Sequence, residues 1–306
     1  MRLLFTDIIA SLAAKTVSLA TRILPGAIIR ASFEVIIRIV LIFQPKHLQV
    51  ARTNLRIVFP DMSDHEQRKL INRHIQYLAN FLYEAFRLPQ ITEDWVNKNI
   101  VFPEGKENFL AEASPNGRLY LTGHLGVFEL LAQTMALKGF PFHFVVRKFP
   151  GPRLEQWWRS IREKHGNRVI ERSGAYRKLL HVLNQGGRAG LLFDQNITLS
   201  RAVFPRWFSL PAATTKAVGY SILKANPRVT VLSLVRNTSG QYEFLVSDCQ
   251  TDAIRDDPSL SREEKILAIT QKVTDLFTPM IEEFPEQWFW FHRRWKTRPD
   301  GTTYQY

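Results

Sequence analysis

His124 and Glu129 lie five residues apart in the segment Leu119-Tyr120-Leu121-Thr122-Gly123-His124-Leu125-Gly126-Val127-Phe128-Glu129. A carboxylate hydrogen-bonded to one imidazole nitrogen fixes the tautomer, leaving the other nitrogen to take a proton from a hydroxyl. Histidine suits that task because its reference pKa of about 6.5 lies near working pH. The spacing sets a geometric condition. On one continuous helix the two residues would lie about 140° apart and share no face. They meet only if His124 precedes the helix and Glu129 lies in its first turn. Gly123 and Gly126 make so sharp an entry feasible. The pattern is short, and its plain alternative is a strand-end histidine capped by whatever lies near.

The chain offers little for other chemistries. Its one cysteine, Cys249, forms no intrachain disulfide and rules out a multi-cysteine metal site. The eight histidines are scattered and lack H-E-x-x-H spacing, so no metal and no cofactor are expected. A G-x-S-x-G elbow is absent as well, which argues against a covalent intermediate.

The elements around the pair explain its position. Leu119–Thr122 reads as a strand that stops at a glycine, and ligands in α/β sheets gather at the carboxyl ends of strands. Further strands are expected at 142–146, 190–193, 229–235 and 242–246, alternating with helices near 127–138, 152–165, 173–185, 211–224 and 261–283. That alternation predicts an α/β fold with a mixed central sheet flanked by helices. Residues 46–88 read as helix broken at Phe59-Pro60-Asp61. Ser63 followed by Glu66 is a capping-box signature for a restart.

Residues 1–43 are the most apolar stretch, yet Arg2, Asp7, Lys15, Arg22, Arg30, Glu34 and Arg38 interrupt it. No uncharged run reaches the ~18–20 residues a spanning helix needs, and no cleavable signal peptide is apparent. Two helices split at Pro25-Gly26 are expected instead, forming an N-terminal membrane-associating layer that lies in the bilayer interface, with a tilted span whose arginines snorkel as the costlier alternative. The organisation expected is thus 1–44 as membrane-associating helices and 45–306 as the domain that carries the chemistry.

The formal charge of +13 calls for an anionic partner. Between Arg147 and Arg188 there are eleven Lys or Arg against three acids, interleaved with Phe149, Trp157 and Trp158. Such a face suits phosphates beside apolar chains. Nucleic acid would also answer the charge, but no RNA- or DNA-binding signature supports it. A non-catalytic peripheral membrane protein would show the same face.

Several segments beyond the histidine carry a resemblance. Ala51-Arg52-Thr53-Asn54-Leu55 leads to Phe59-Pro60; Phe193-Asp194-Gln195-Asn196 follows a strand; Phe204-Pro205 precedes Pro211-Ala212-Ala213-Thr214-Thr215. The tail reads Pro285-Glu286-Gln287-Trp288-Phe289-Trp290-Phe291-His292-Arg293-Arg294-Trp295-Lys296-Thr297-Arg298-Pro299. With His-x4-Glu at a strand-to-helix junction, these resemble the late acyltransferases of lipid A biosynthesis, from about residue 45 onward. The resemblance implies transfer of an acyl chain from an acyl carrier protein thioester to a hydroxyl of a lipid A precursor. It also implies a place on the cytoplasmic face of the inner membrane. It would make His124 the general base, Glu129 its orienting partner, and Arg162, Asp194 and Arg147 substrate-binding residues. Val146-Arg147-Lys148 replaces the family's tyrosine-arginine-proline, and Pro205-Arg206-Trp207-Phe208-Ser209 departs from its "F-F-G" element. A related lysophospholipid or glycolipid O-acyltransferase would use the same pair on another acceptor. The tail tryptophans read as core or interface anchors. Arg293, Arg294, Lys296 and Arg298 suit phosphate or headgroups.

Overall fold

The computed structural model describes residues 2–105, 110 and 114–306, with side chains from Thr6 onward. Strands β1 (Ile100–Val101), β2 (Arg118–Thr122), β3 (His143–Val146), β4 (Arg168–Glu171) and β5 (Arg188–Leu192) come first in the chain. Two small ribbons follow, built from β6 (Ala202–Val203), β7 (Arg206–Trp207), β8 (Leu210–Pro211) and β9 (Thr214–Thr215). The long strands β10 (Arg228–Arg236) and β11 (Tyr242–Asp248) complete a seven-stranded sheet ordered β1-β11-β10-β2-β5-β3-β4. Among the described residues the β10–β11 pairing is the one antiparallel pairing of this sheet, so the sheet is mixed, as expected.

Side chains alternate across a strand, and here each face buries its own core. Leu119, Leu121, Ala189, Val229 and Val231 point to one side. There they meet α3 (Lys46–Val58), α8 (Ala175–Asn184), α9 (Ala217–Ala225), α10 (Arg262–Glu283) and the tail tryptophans. Tyr120, Phe144, Leu232 and Leu234 point to the other side, against α6 (Phe128–Leu137) and the segment around α5 (Glu93–Asn99). Trp288, Trp290 and Trp295 are buried core residues.

Three local expectations shift. The helix expected from 211 begins only at Ala217, because the backbone before it is used otherwise: Ala212 N–H donates to Pro205 and Arg294 donates to the Ala213 carbonyl. Arg294 itself is buried over the Trp207 ring, 4.2 Å from its centroid, not free for phosphate or headgroups. Strand β4, Arg-Val-Ile-Glu, lay hidden within the basic stretch. The capping box at Ser63/Glu66 forms, with both reciprocal bonds, and opens α4 (Asp64–Arg87).

At the N-terminus, α1 (Arg2–Ile23) and α2 (Gly26–Phe43) pack on α4 and on α7 (Pro152–Arg162). Helix α1 is turned inside out. Its buried stripe is Asp7, Ser11, Ala14, Ser18 and Thr21, while Ile9, Leu12, Leu19 and Ile23 face outward. Three of the inward polar groups have partners: Ser18 Oγ donates to the Phe86 carbonyl, Thr21 Oγ1 donates to the Ser18 carbonyl, and the Asp7 carboxylate accepts the Arg153 and Leu154 N–H groups at the start of α7. A carboxylate there caps orphan donors and meets the positive end of the helix dipole. Helix α2 exposes Val35, Ile36, Ile39 and Val40 and ends at Ile42 and Phe43, which are 73% and 79% exposed. None of the described helices is long and apolar enough to cross a membrane.

Candidate active site

Strand β2 delivers Gly123 and His124 to the carboxyl end of the sheet, and α6 begins at Phe128. His124 thus precedes the helix and Glu129 lies in its first turn, as the spacing required. Both glycines are sterically obligatory. Gly126 has φ +64°, and a Cβ there would stand 2.0 Å from the Leu234 carbonyl oxygen. A Cβ on Gly123 would meet the Phe277 ring at 2.4 Å and Asp194 Cγ at 2.8 Å.

The carboxylate at the imidazole is not the expected one. His124 Nδ1 lies 2.8 Å from Asp194 Oδ1, and the His124 backbone N–H donates to Asp194 Oδ2 at 2.8 Å. Carboxylates only accept, so Nδ1 donates in this bond and Nε2 is the ring nitrogen left on the other side. The register explains the meeting: Thr122 pairs with Leu192, which brings positions two residues farther on, His124 and Asp194, to one level. Glu129 instead accepts from Arg162, through Nε at 3.1 Å and through a second guanidinium nitrogen. This fork is nearly enclosed, and Arg162 also lies over the Trp158 and Phe149 rings. The five residues singled out from the sequence therefore sort into His124 with Asp194, Glu129 with Arg162, and Arg147 exposed just past β3.

Asp194 is buried and well bonded. Burial alone would raise its carboxyl; the positive charge His124 carries when its ring is protonated, the two His124 hydrogen bonds and the Trp288 indole N–H at 2.9 Å outweigh that and hold it down to about 2. Nearby His292 is pushed down to about 4, chiefly by burial, and so stays neutral beside the pair.

The loop bearing His124 is fixed by the tail and by α4. Phe289 N–H donates to the His124 carbonyl, and Gly126 N–H donates to the Gln287 carbonyl, so the tail runs along the loop. Tyr77 from α4 donates its hydroxyl to the Gly126 carbonyl at 2.6 Å. Burial pushes that phenol upward, keeping it a donor. Trp288 and Tyr77 are site residues that sequence reasoning missed; only the tail's dense aromatic pattern hinted at the first.

On the other side of His124, the Gln195 amide nitrogen lies 3.1 Å from Nε2. There a cavity of about 790 Å³ opens. Its inner part is apolar, lined by Tyr120, Leu131, Ala132, Phe142, Phe144 and Leu232. Arg147, Arg172, Arg201 and Lys216 also line it, and all but half-buried Lys216 are exposed. Among the described lining residues the only carboxylate is Glu129, already held by Arg162. No cluster of potential metal ligands occurs among the described residues. The arrangement is a carboxylate-bonded imidazole between an apolar chamber and a set of cations.

Over 279 residues the chain is 24% identical to the lipid A biosynthesis lauroyltransferase of Escherichia coli (strain K12), covering 88% of this chain and 85% of the relative. Identity to the lipid A biosynthesis palmitoleoyltransferase of the same strain is 23% over 275 residues, covering 86% and 83%. A lipid A biosynthesis acyltransferase of Haemophilus influenzae is 20% identical over 253 residues, covering 82% and 76%. Residues 2–297 match the family of bacterial lipid A biosynthesis acyltransferases. Since that match runs from the inverted first helix through the tail that braces His124, the chain belongs to this family and is an acyl-group transferase.

Proposed function

We propose that the protein moves a fatty acyl chain from an acyl carrier protein thioester to a hydroxyl of a lipid A precursor. The observation that carries this reading is His124 Nε2, a base set by a buried carboxylate, facing a chamber apolar within and cationic at its edge. The acceptor hydroxyl takes the place that the Gln195 amide now holds. His124 Nε2 removes its proton as the oxygen attacks the thioester carbonyl carbon. The C–S bond then breaks, the thiolate takes the proton back from the imidazolium, and an ester remains. In this mechanism Asp194, rather than Glu129, orients the base and stabilises its charged form. The Glu129–Arg162 fork shapes the chamber wall, and Arg147, Arg172, Arg201 and Lys216 receive the anionic parts of the substrates. The test is mass spectrometry of lipid A from cells lacking the protein. One secondary acyl chain should be missing, and unaltered lipid A would overturn the reading.

Residues 1–44 form the membrane-associating layer on a catalytic domain of 45–306, at the cytoplasmic side of the inner membrane. The support is the outward apolar face of α1 and α2, whose inward side on α1 is polar. An exposed apolar surface of this extent marks a contact with lipid or protein. Full burial of one such side chain contributes about 1.5–3 kcal/mol. The double variant Leu12→Glu/Ile36→Glu should therefore cosediment with anionic phospholipid vesicles at least tenfold less than the wild type. Equal cosedimentation would remove α1 and α2 as the lipid-facing layer.

A further inference from the structure

The sheet is split beside His124. Strands β3 and β5 are in register at only two pairs, His143 with Ala189 and Phe144 with Gly190. Beyond these, each strand follows its other neighbour: Val145 and Val146 pair with β4, while Leu191 and Leu192 pair with β2. Consecutive strand residues face opposite sides of a sheet. Nevertheless Val145 and Val146, and likewise Leu191 and Leu192, all line the cavity. Both observations have one explanation: the cavity enters the sheet through the opening between β3 and β5.

Gly190 sits at the apex of that opening. A Cβ there would stand 2.5 Å and 2.9 Å from Cε2 and Cδ2 of the Phe142 ring. Phe142 is braced by Tyr120 and Phe144, each at a ring-centroid distance of 5.4 Å. Tyr120 is anchored in turn by its hydroxyl, which donates to the Leu110 carbonyl. These aromatic groups close the inner end of the chamber. From Asp194 back to Gly190 the chain runs four residues, about 13 Å of strand at ~3.3 Å per residue. This inner part of the space is lined by buried apolar side chains, and His124 lines the same cavity.

We infer that the opening between β3 and β5 receives the distal end of the donor acyl chain, with Phe142 against Gly190 as the stop that sets chain length. This rests on the acyl-transfer reading above. A rigid apolar floor discriminates by steric exclusion on the long side and by unfilled space on the short side. One methylene in such a pocket changes kcat/KM by about 10–200-fold. Gly190→Ala raises the floor, and Phe142→Leu lowers it.

The experiment uses the full-length protein with carrier-bound acyl donors differing by two carbons and a lipid A precursor as acceptor. Gly190→Ala should raise the kcat/KM ratio of the next shorter donor over the wild type's preferred donor at least tenfold. Phe142→Leu should raise the ratio for the next longer donor at least threefold. Because it removes ring atoms and adds none, Phe142→Leu decides the matter if Gly190→Ala does not fold. A wild-type profile in every folded variant overturns the chain stop while leaving acyl transfer standing. No transfer of any donor by the wild type overturns both.

Discussion

Replacing His124 by alanine lowers acyl transfer by about 10²–10⁴-fold, the usual worth of a positioned general base, and leaves the protein folded. The second half of that expectation comes from the surroundings. The side chain faces the cavity, so its loss removes little packing. Asp194 keeps two of its donors, the backbone N–H of residue 124 and the Trp288 indole, and is not stranded as an unpaired buried charge. The loop keeps its bonds to Phe289, Gln287, Leu234 and Tyr77, none of which involves the imidazole. Thermal unfolding and vesicle binding should therefore match the wild type while turnover is lost. Wild-type turnover in the alanine variant would remove His124 from the mechanism.

The position of His124, past the end of a strand and ahead of a helix, was legible because the signals were local. An apolar strand stops at a glycine, and two glycines flank a histidine ahead of an apolar helix. Its partner was not legible, because partnership depends on strand order. Only the parallel pairing of β2 with β5, Thr122 beside Leu192, brings Asp194 level with His124. Glu129 is nearer in sequence, but its carboxylate is taken by Arg162 from α7, an approach no spacing rule announces. Arg162 likewise looked like one charge of a basic face and proves to be buried. The family segments identified Asp194 as a site residue, yet as a substrate-binding one. The inverted polarity of α1 was equally hidden. Apolar residues surround that helix, and only packing shows that its serines and Asp7 face inward.

Asp194→Asn is the sharper experiment, because it changes a proton position with almost no change of shape. Asp194 Oδ2 accepts two N–H groups and Oδ1 accepts one. An asparagine can satisfy the two donors at the Oδ2 position only by placing its amide oxygen there. Its NH₂ then points at His124 Nδ1, which must become an acceptor, and the imidazole proton moves to Nε2. Such a ring cannot take a proton from the acceptor hydroxyl. In triads of this logic the corresponding change lowers kcat about 10⁴-fold, and a loss of 10³–10⁴ in kcat with little change in KM is expected here. Glu129→Gln keeps an acceptor for Arg162 and should cost far less, chiefly in KM. The reverse ranking, Glu129→Gln crippling and Asp194→Asn near wild type, would restore Glu129 as the partner of His124. A second readout separates this role from a structural one. The Asp194 carboxyl is held below its ordinary value, so the wild type gains stability that is full above about pH 4 and is lost as pH falls toward 2. Asparagine does not titrate, so in the variant that part of the acid destabilisation, about 2 kcal/mol, should be absent from unfolding curves recorded between pH 4 and 2.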